Sequence, residues 1–251
     1  MKTRYLLTAS ATLLALLLSA CGGGGGDAAP APTPVPELPQ GLWDAPDHSR
    51  VVYVLPSAGA AAGEVWSITS GGTSPLVQGE LQVEGSGFLA SGARYLTGNP
   101  ADAADAQVAI QAASDGTLSY ADQTVAAGTT TVAGMTASST YQRVASLGDW
   151  EGCWQIAGDA IESQFCVSAD GVVSGSRGAC VLAGSVALRP EGKAVVTVTV
   201  EETGCAEAQS LAGIGVFARS GGQVVEDARM LALMNAEGTQ RSLIGLSRAA
   251  P

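Results

Sequence analysis

The stretch Ala194-Val195-Val196-Thr197-Val198-Thr199-Val200 is β-branched at every position after the first. From Val196 on, valine and threonine alternate strictly, as a half-buried strand does. Turns punctuate both halves: Asp115-Gly116 and Asp170-Gly171 are tight-turn dipeptides, and Pro190-Glu191-Gly192-Lys193 is a longer one. Eight candidate strands follow one another in the C-terminal half, near 151–157, 162–168, 171–177, 179–188, 194–202, 212–219, 228–235 and 240–247. Short, even spacing with hairpin turns points to an antiparallel meander. Closing eight strands on themselves removes the exposed edges that invite aggregation. The preceding half reads likewise, with strands near 50–55, 63–69, 75–83, 86–92, 107–112, 117–121 and 130–142, and residues 98–106 as its longest loop.

The two halves repeat each other. Gly41-Leu42-Trp43 opens the first and Gly148-Asp149-Trp150 the second. Each ends on a β-rich stretch with an arginine, Arg143 in Thr140-Tyr141-Gln142-Arg143 and Arg248 in Gly245-Leu246-Ser247-Arg248. Matching ends in matching order imply duplication. The expected architecture is all-β, two tandem up-and-down antiparallel barrels of about eight strands each, at 41–147 and 148–251, behind a tether without secondary structure.

That tether spans residues 21–40. Five consecutive glycines, Gly22 to Gly26, precede prolines at 30, 32, 34, 36 and 39. Glycine makes a flexible coil and proline a stiffer spacer, and the stretch 22–40 reaches on the order of 60 Å at ~3.1 Å per residue. Before it, residues 1–20 follow the plan of a secretory signal: Lys2 and Arg4, an apolar stretch from Tyr5 to Leu18, then small residues. The apolar stretch is short for a permanent span, which needs about 20 residues.

The close Leu18-Ser19-Ala20-Cys21 resembles the lipobox of bacterial lipoproteins. The resemblance implies cleavage before Cys21 and acylation of its sulfur and new amino group, palmitate among the acyl chains. Each buried methylene contributes roughly 0.8 kcal/mol, and several chains anchor where one does not. Gly22 stands where many Gram-negative lipoproteins carry an Asp for inner-membrane retention, so the implied destination is the outer membrane, at its periplasmic face or the cell surface. The chain has 12 basic and 23 acidic residues and a formal charge of −11. This argues against nucleic acid and against electrostatic adhesion to anionic lipid. Lipid would hold the protein at the membrane, not charge.

A Gly-X-Trp on the first strand with an Arg on the last resembles the signature of lipocalin and avidin-type barrels. There the Trp plugs one end and the Arg lies across its indole, a cation–π contact worth roughly 0.5–2 kcal/mol. The resemblance pairs Trp43 with Arg143 and Trp150 with Arg248, as structural plugs. Gly152-Cys153-Trp154 repeats the tripeptide immediately, so Trp154 is an alternative to Trp150. The whole is similar to uncharacterised proteobacterial lipoproteins made of two small barrels, and more distantly to barrel-bearing surface lipoproteins that bind host proteins.

Besides Cys21, four cysteines fall in the second half: Cys153, Cys166, Cys180 and Cys205. An even number in an exported domain implies disulfides, with three connectivities open. Cys153 and Cys166 flank a turn centred near 159–160, and Cys180 and Cys205 flank the turn at 190–193, so hairpin geometry selects 153–166 and 180–205. A zinc site lacks a Cys-X-X-Cys, and the sole histidine, His48, lies in the other half.

Catalytic groups do not converge in the sequence. A Ser-His-Asp arrangement would have to use His48, which sits in the loop-like Pro46-Asp47-His48-Ser49. Glu201-Glu202 and Glu226-Asp227 are adjacent pairs whose members point to opposite strand faces, and they read as charged rims or turns. Asp102 and Asp105 fall short of the six to eight oxygens calcium takes. Gly71-Gly72 and Gly221-Gly222 lack the lysine and helix of a phosphate loop and read as turns. Trp66, Tyr95 and Trp154 read as core. The expectation is a protein without enzymatic activity, cofactor or metal, whose filled barrels meet a protein partner through loops or outer faces. The alternative is a periplasmic protease inhibitor or a carrier of a small apolar ligand.

Overall fold

The computed structural model describes residues 35–57, 59, 61–69, 75–97, 99–125, 128–158, 163–206 and 208–248. The leader, Cys21, the glycine run, the Gly71-Gly72 pair and the turn near 159–160 lie outside them. In the first barrel the strands are β1 (Gly41–Asp44), β2 (Arg50–Leu55), β3 (Gly63–Thr69), β4 (Leu76–Glu84), β5 (Gly87–Leu96), β6 (Ala104–Ala112), β7 (Leu118–Thr124) and β8 (Gly128–Ala137). In the second they are β9 (Gly152–Ile156), β10 (Gln164–Val167), β11 (Val172–Arg177), β12 (Cys180–Leu188), β13 (Val195–Thr203), β14 (Gln209–Ser220), β15 (Gln223–Asn235) and β16 (Arg241–Arg248). Each set of eight closes as an up-and-down antiparallel barrel.

Closure rests on short seams, where Trp43 and Asp44 face Ala137 and Thr136 in the first barrel, and Trp154 faces Arg248 in the second. The first half's eighth strand is β1, the Gly41-Leu42-Trp43 opening itself. Its last strand is shorter than the sequence suggests: after Ala137 the chain leaves the barrel into a 3-10 turn, Ser139–Gln142. The supposed long loop is also short, since Pro100–Asp102 form one 3-10 turn and β6 begins at Ala104.

Alternation dictates what each strand buries. In β13, Val196, Val198 and Val200 point into the lumen while Thr197 and Thr199 face water. Both lumens are filled. Trp43, Val54, Phe88, Tyr120 and Met135 pack inside the first, and Trp150, Trp154, Phe165, Leu182 and Leu231 inside the second.

Strands β1 to β3 break the alternation, with nearly every residue buried. Their outward side chains Leu42, Tyr53, Leu55, Trp66 and Ile68 pack against Val195, Ile214, Val216 and Ala232 of the second barrel. A strand covered on both faces reads as a continuous apolar run, as Val51 to Leu55 does. This apolar layer is rimmed by polar contacts between the barrels. Arg189 pairs with Glu64 at 2.7 Å and donates to the Pro56 carbonyl at 2.9 Å, Arg94 donates to the Gly238 carbonyl at 2.8 Å, and Arg219 pairs with Asp44.

Each barrel also carries an ion pair at the end where its first two strands join, fully buried in the first and with Arg177 partly exposed in the second. Arg50 pairs with Asp122 in the first and donates to Ser67 at 3.2 Å. Arg177 meets Glu202 in the second, at 3.5 Å, and donates to Ser242 at 2.9 Å. Glu202 is thus an interior residue at 3% exposure, not a charged rim, while its neighbour Glu201 faces outward as expected.

Cys153 and Cys166 stand directly opposite on β9 and β10, at disulfide distance with S–S 2.06 Å. Cys180 and Cys205 are also at disulfide distance, 2.22 Å, at the open end of the β12–β13 pair. In the chain-entropy account, loops of this size stabilise by roughly 3 kcal/mol each. Full reduction is expected to lower the unfolding temperature of the second barrel and leave the first barrel's intrinsic stability unchanged. Calorimetry with and without reductant checks this, and an unchanged transition after complete reduction would refute it.

Candidate functional site

Three places concentrate chemistry: the plugged end of the second barrel, the junction between the barrels, and an open outer face of the first.

At the plug, the first-strand tryptophans are Trp43 and Trp154. Trp43 donates its indole N–H to the Pro39 carbonyl at 3.0 Å, and Trp154 donates to the Trp150 carbonyl at 2.7 Å, four residues back in both cases. Leu38 and Pro39, the end of the expected tether, therefore belong to the first barrel's packing. Arg248 lies 4.6 Å from the Trp154 ring because the β16–β9 register sets these residues opposite each other. Trp150 precedes the strand and fills the lumen at 2% exposure, so close to Gly215 that a Cβ there would stand 2.6 Å from the indole. The expected partner of Trp150 is thus carried by Trp154 instead.

Trp43 has Ala137 in the place that Arg248 occupies beside Trp154. Arg143, its expected partner, lies beyond the 3-10 turn, where its guanidinium stacks 4.4 Å from Phe217 and pairs with Glu226 at 2.7 Å, both in the second barrel. The first barrel's buried cation is Arg50, 5.1 Å from the Tyr120 ring.

Arg229 carries the second barrel's plug. Its guanidinium is 4.0 Å from Phe217 and 4.8 Å from Trp154, and it donates to the carbonyls of Glu226, Ala228 and Asp149. The resulting stack runs Arg143, Phe217, Arg229, Trp154, Arg248. Burial pushes Arg229 down to about 10, with Arg248 and Arg143 adding repulsion against the pull of Asp149 and Glu226. It remains a cation at neutral pH. Sequence reasoning missed it because Arg229 sits in the middle of a strand, where no motif marks it.

At the junction, the apolar layer opens into a cleft of about 490 Å³. Val51 and Ile68 from the first barrel and Phe217, Met230 and Leu243 from the second form its walls. Asp44, His48 and Arg219 form its polar edge. His48 is in the left-handed region at φ 56°, and its ring lies where a side chain on Gly222 would be, 2.6 Å from that position. Gly221 and Gly222 both have positive φ and make the tight turn their sequence implies. Arg219 is nine-tenths buried, and its Nη2 donates to Asp44 and to the Gly222 carbonyl. Its Nε and Nη1, together with Thr69 Oγ1, have no partner among the described residues. An unsatisfied buried donor costs about 1–3 kcal/mol. Burial raises the Asp44 carboxyl above its usual range, opposed by Arg219 and His48.

The third place is a depression of about 610 Å³ on the outside of β5 to β8. Its floor is made of short or polar outward side chains, among them Ala109, Ala121, Gln107, Gln111, Ser119 and Thr131. Register shifts in the β4–β5, β5–β6 and β7–β8 pairings border it and bend the sheet there.

The remaining candidates do not converge. Asp105 pairs with Arg94 and Asp102 lies in the 3-10 turn. Glu226 pairs with Arg143 on the surface. Trp66 lies in the layer between barrels, donating to Glu64 at 3.1 Å, and Tyr95 packs against the first barrel's core. Among the described residues, no group of three or more His, Cys, Asp or Glu side chains is placed to hold a metal ion. Comparison with protein-family models, curated protein sequences and solved structures gives no significant match to this chain.

The plug makes an ordered prediction. Arg229→Ala removes three ring contacts, to Phe217, Trp154 and Trp150, and three hydrogen bonds and should cost about 3 kcal/mol, whereas Arg248→Ala removes one ring contact worth about 1 kcal/mol. Urea unfolding of both variants checks the order. Equal losses, or a larger loss for Arg248→Ala, would refute the assignment of Arg229 as the central plug.

Proposed function

We propose that the chain is a non-enzymatic, lipid-anchored protein of the cell envelope that binds a protein partner through the outer surface of its barrels. The observation that carries this reading is that both lumens are filled by their own side chains, which leaves binding to the outside. The β5–β8 face suits that role. It is concave, points away from the layer buried between the barrels, and offers Gln107, Gln111, Ser119 and Thr131 as adaptable hydrogen-bonding groups on rigid strands. The anchor rests on the Leu18-Ser19-Ala20-Cys21 close and the leader before it. The filled lumens count against a ligand carried inside either barrel.

Expression of the full chain in a Gram-negative host, with a photoreactive residue replacing Gln107, tests both parts. The protein is expected to incorporate labelled palmitate and to sediment with the outer membrane, and Cys21→Ser to lose both properties. Illumination should give a discrete adduct that Ala109→Arg abolishes by filling the concave face with a charge. Retained palmitate in Cys21→Ser would overturn the anchor. No adduct, or one indifferent to Ala109→Arg, would overturn the docking face.

A further inference from the structure

We infer that the cleft between the two barrels is a binding site for a small uncharged amphiphile, an apolar molecule of one or two rings or an equivalent chain that carries a hydrogen-bond-accepting oxygen. This site is separate from the β5–β8 face and from both lumens, and the inference does not depend on the function proposed above.

Three observations carry it. The first is size and lining: about 490 Å³ lies within the 300–1,000 Å³ range of small-molecule pockets, and Val51, Ile68, Phe217, Met230 and Leu243 make the walls apolar. Such a surface gains by excluding water, and a ligand of matching shape does this better than the half-open cleft. The second is donor chemistry. A guanidinium carries five N–H donors, and Arg219 uses only Nη2, toward Asp44 and the Gly222 carbonyl. Its Nε and Nη1 lack acceptors among the described residues, so the polar edge of the cleft is short of acceptors, not of donors. Both nitrogens are shielded from solvent, so a carbonyl or hydroxyl oxygen on a ligand supplies what is missing once the Arg219 side chain reorients toward the cleft.

The third observation is charge. Asp44 already neutralises Arg219, and the chain as a whole carries −11, so an anionic head would meet a second negative charge locally and a repulsive field at longer range. The head is therefore an uncharged acceptor. The walls come from both barrels, so the site exists only when the two are docked.

The probe is 6-propionyl-2-dimethylaminonaphthalene, an uncharged ring system with one ketone whose emission shifts to the blue in apolar surroundings. It is titrated into the full chain, and 8-anilinonaphthalene-1-sulfonate serves as the anionic comparison. Saturable one-to-one binding with a blue shift is expected for the ketone, at least tenfold tighter than for the sulfonate. Leu243→Trp on β16 and Ala218→Trp on β14, both lining the cleft, should each weaken it at least tenfold while the thermal unfolding midpoint stays within a few degrees. A variant that shifts the midpoint further is set aside in favour of the other. Absence of saturable binding overturns the inference. So does binding that survives both fillings, which would put the dye elsewhere, or a preference for the sulfonate, which would make the site anionic in its selectivity.

Discussion

The apolar layer between the barrels is the constraint on which the arrangement depends. Leu42, Tyr53, Leu55, Trp66 and Ile68 would be exposed on an isolated first barrel, and Val195, Ile214, Val216 and Ala232 on an isolated second. Contiguous apolar surface of that kind is stable only when covered. Covering it turns β1, β2 and β3 into strands buried on both sides, and it brings Asp44 to Arg219, Glu64 to Arg189 and Arg94 to the Gly238 carbonyl. Ion pairs as buried as these spend most of their attraction offsetting desolvation. Here they stand at the edge of a dry layer, where their main effect is to fix how the two faces register.

The two halves match in topology and only in part in chemistry. Both halves are eight-stranded closed meanders whose first-strand tryptophan donates to a carbonyl four residues back. Both hold a buried carboxylate against an arginine at the same end, Asp122 with Arg50 and Glu202 with Arg177. Their cations at the tryptophan differ. The second barrel stacks three arginines on Phe217 and Trp154, and the first half contributes one of them, Arg143, from the connecting segment. The connection is tied down further along, where Ala145 donates to the Gly192 carbonyl and Lys193 reaches Gln142. Stapling follows the same division, with all four paired cysteines in the second barrel and none in the first.

Much of this was legible in the residues. The Val196–Val200 alternation sits on β13 with its valines inward, and the cysteine pairs are those selected in the sequence by hairpins turning near 159–160 and at Pro190-Glu191-Gly192-Lys193. The tryptophan–arginine pairing was legible only in part. Gly152-Cys153-Trp154 matches Gly41-Leu42-Trp43 as well as Gly148-Asp149-Trp150 does, and spacing between ends could not choose between them, because strand register does not enter a linear count. Arg229 carried no local mark, since its partners Phe217, Trp154 and the Asp149 carbonyl come from three separate segments.

The sequence by itself determined the elements that depend on neighbours along the chain. Strands come from period two, turns from glycine and asparagine-like geometry at fixed offsets, and closed meanders from even spacing, all within reach of a few residues. The tertiary structure alone decided which outward faces are buried, which arginine lies over which ring, and where a cleft remains. A strand's outward apolar residues look the same in the sequence whether they meet water, a partner or a second barrel. Only the docking of the two halves distinguishes them, and that depends on side chains more than a hundred residues apart meeting within van der Waals contact.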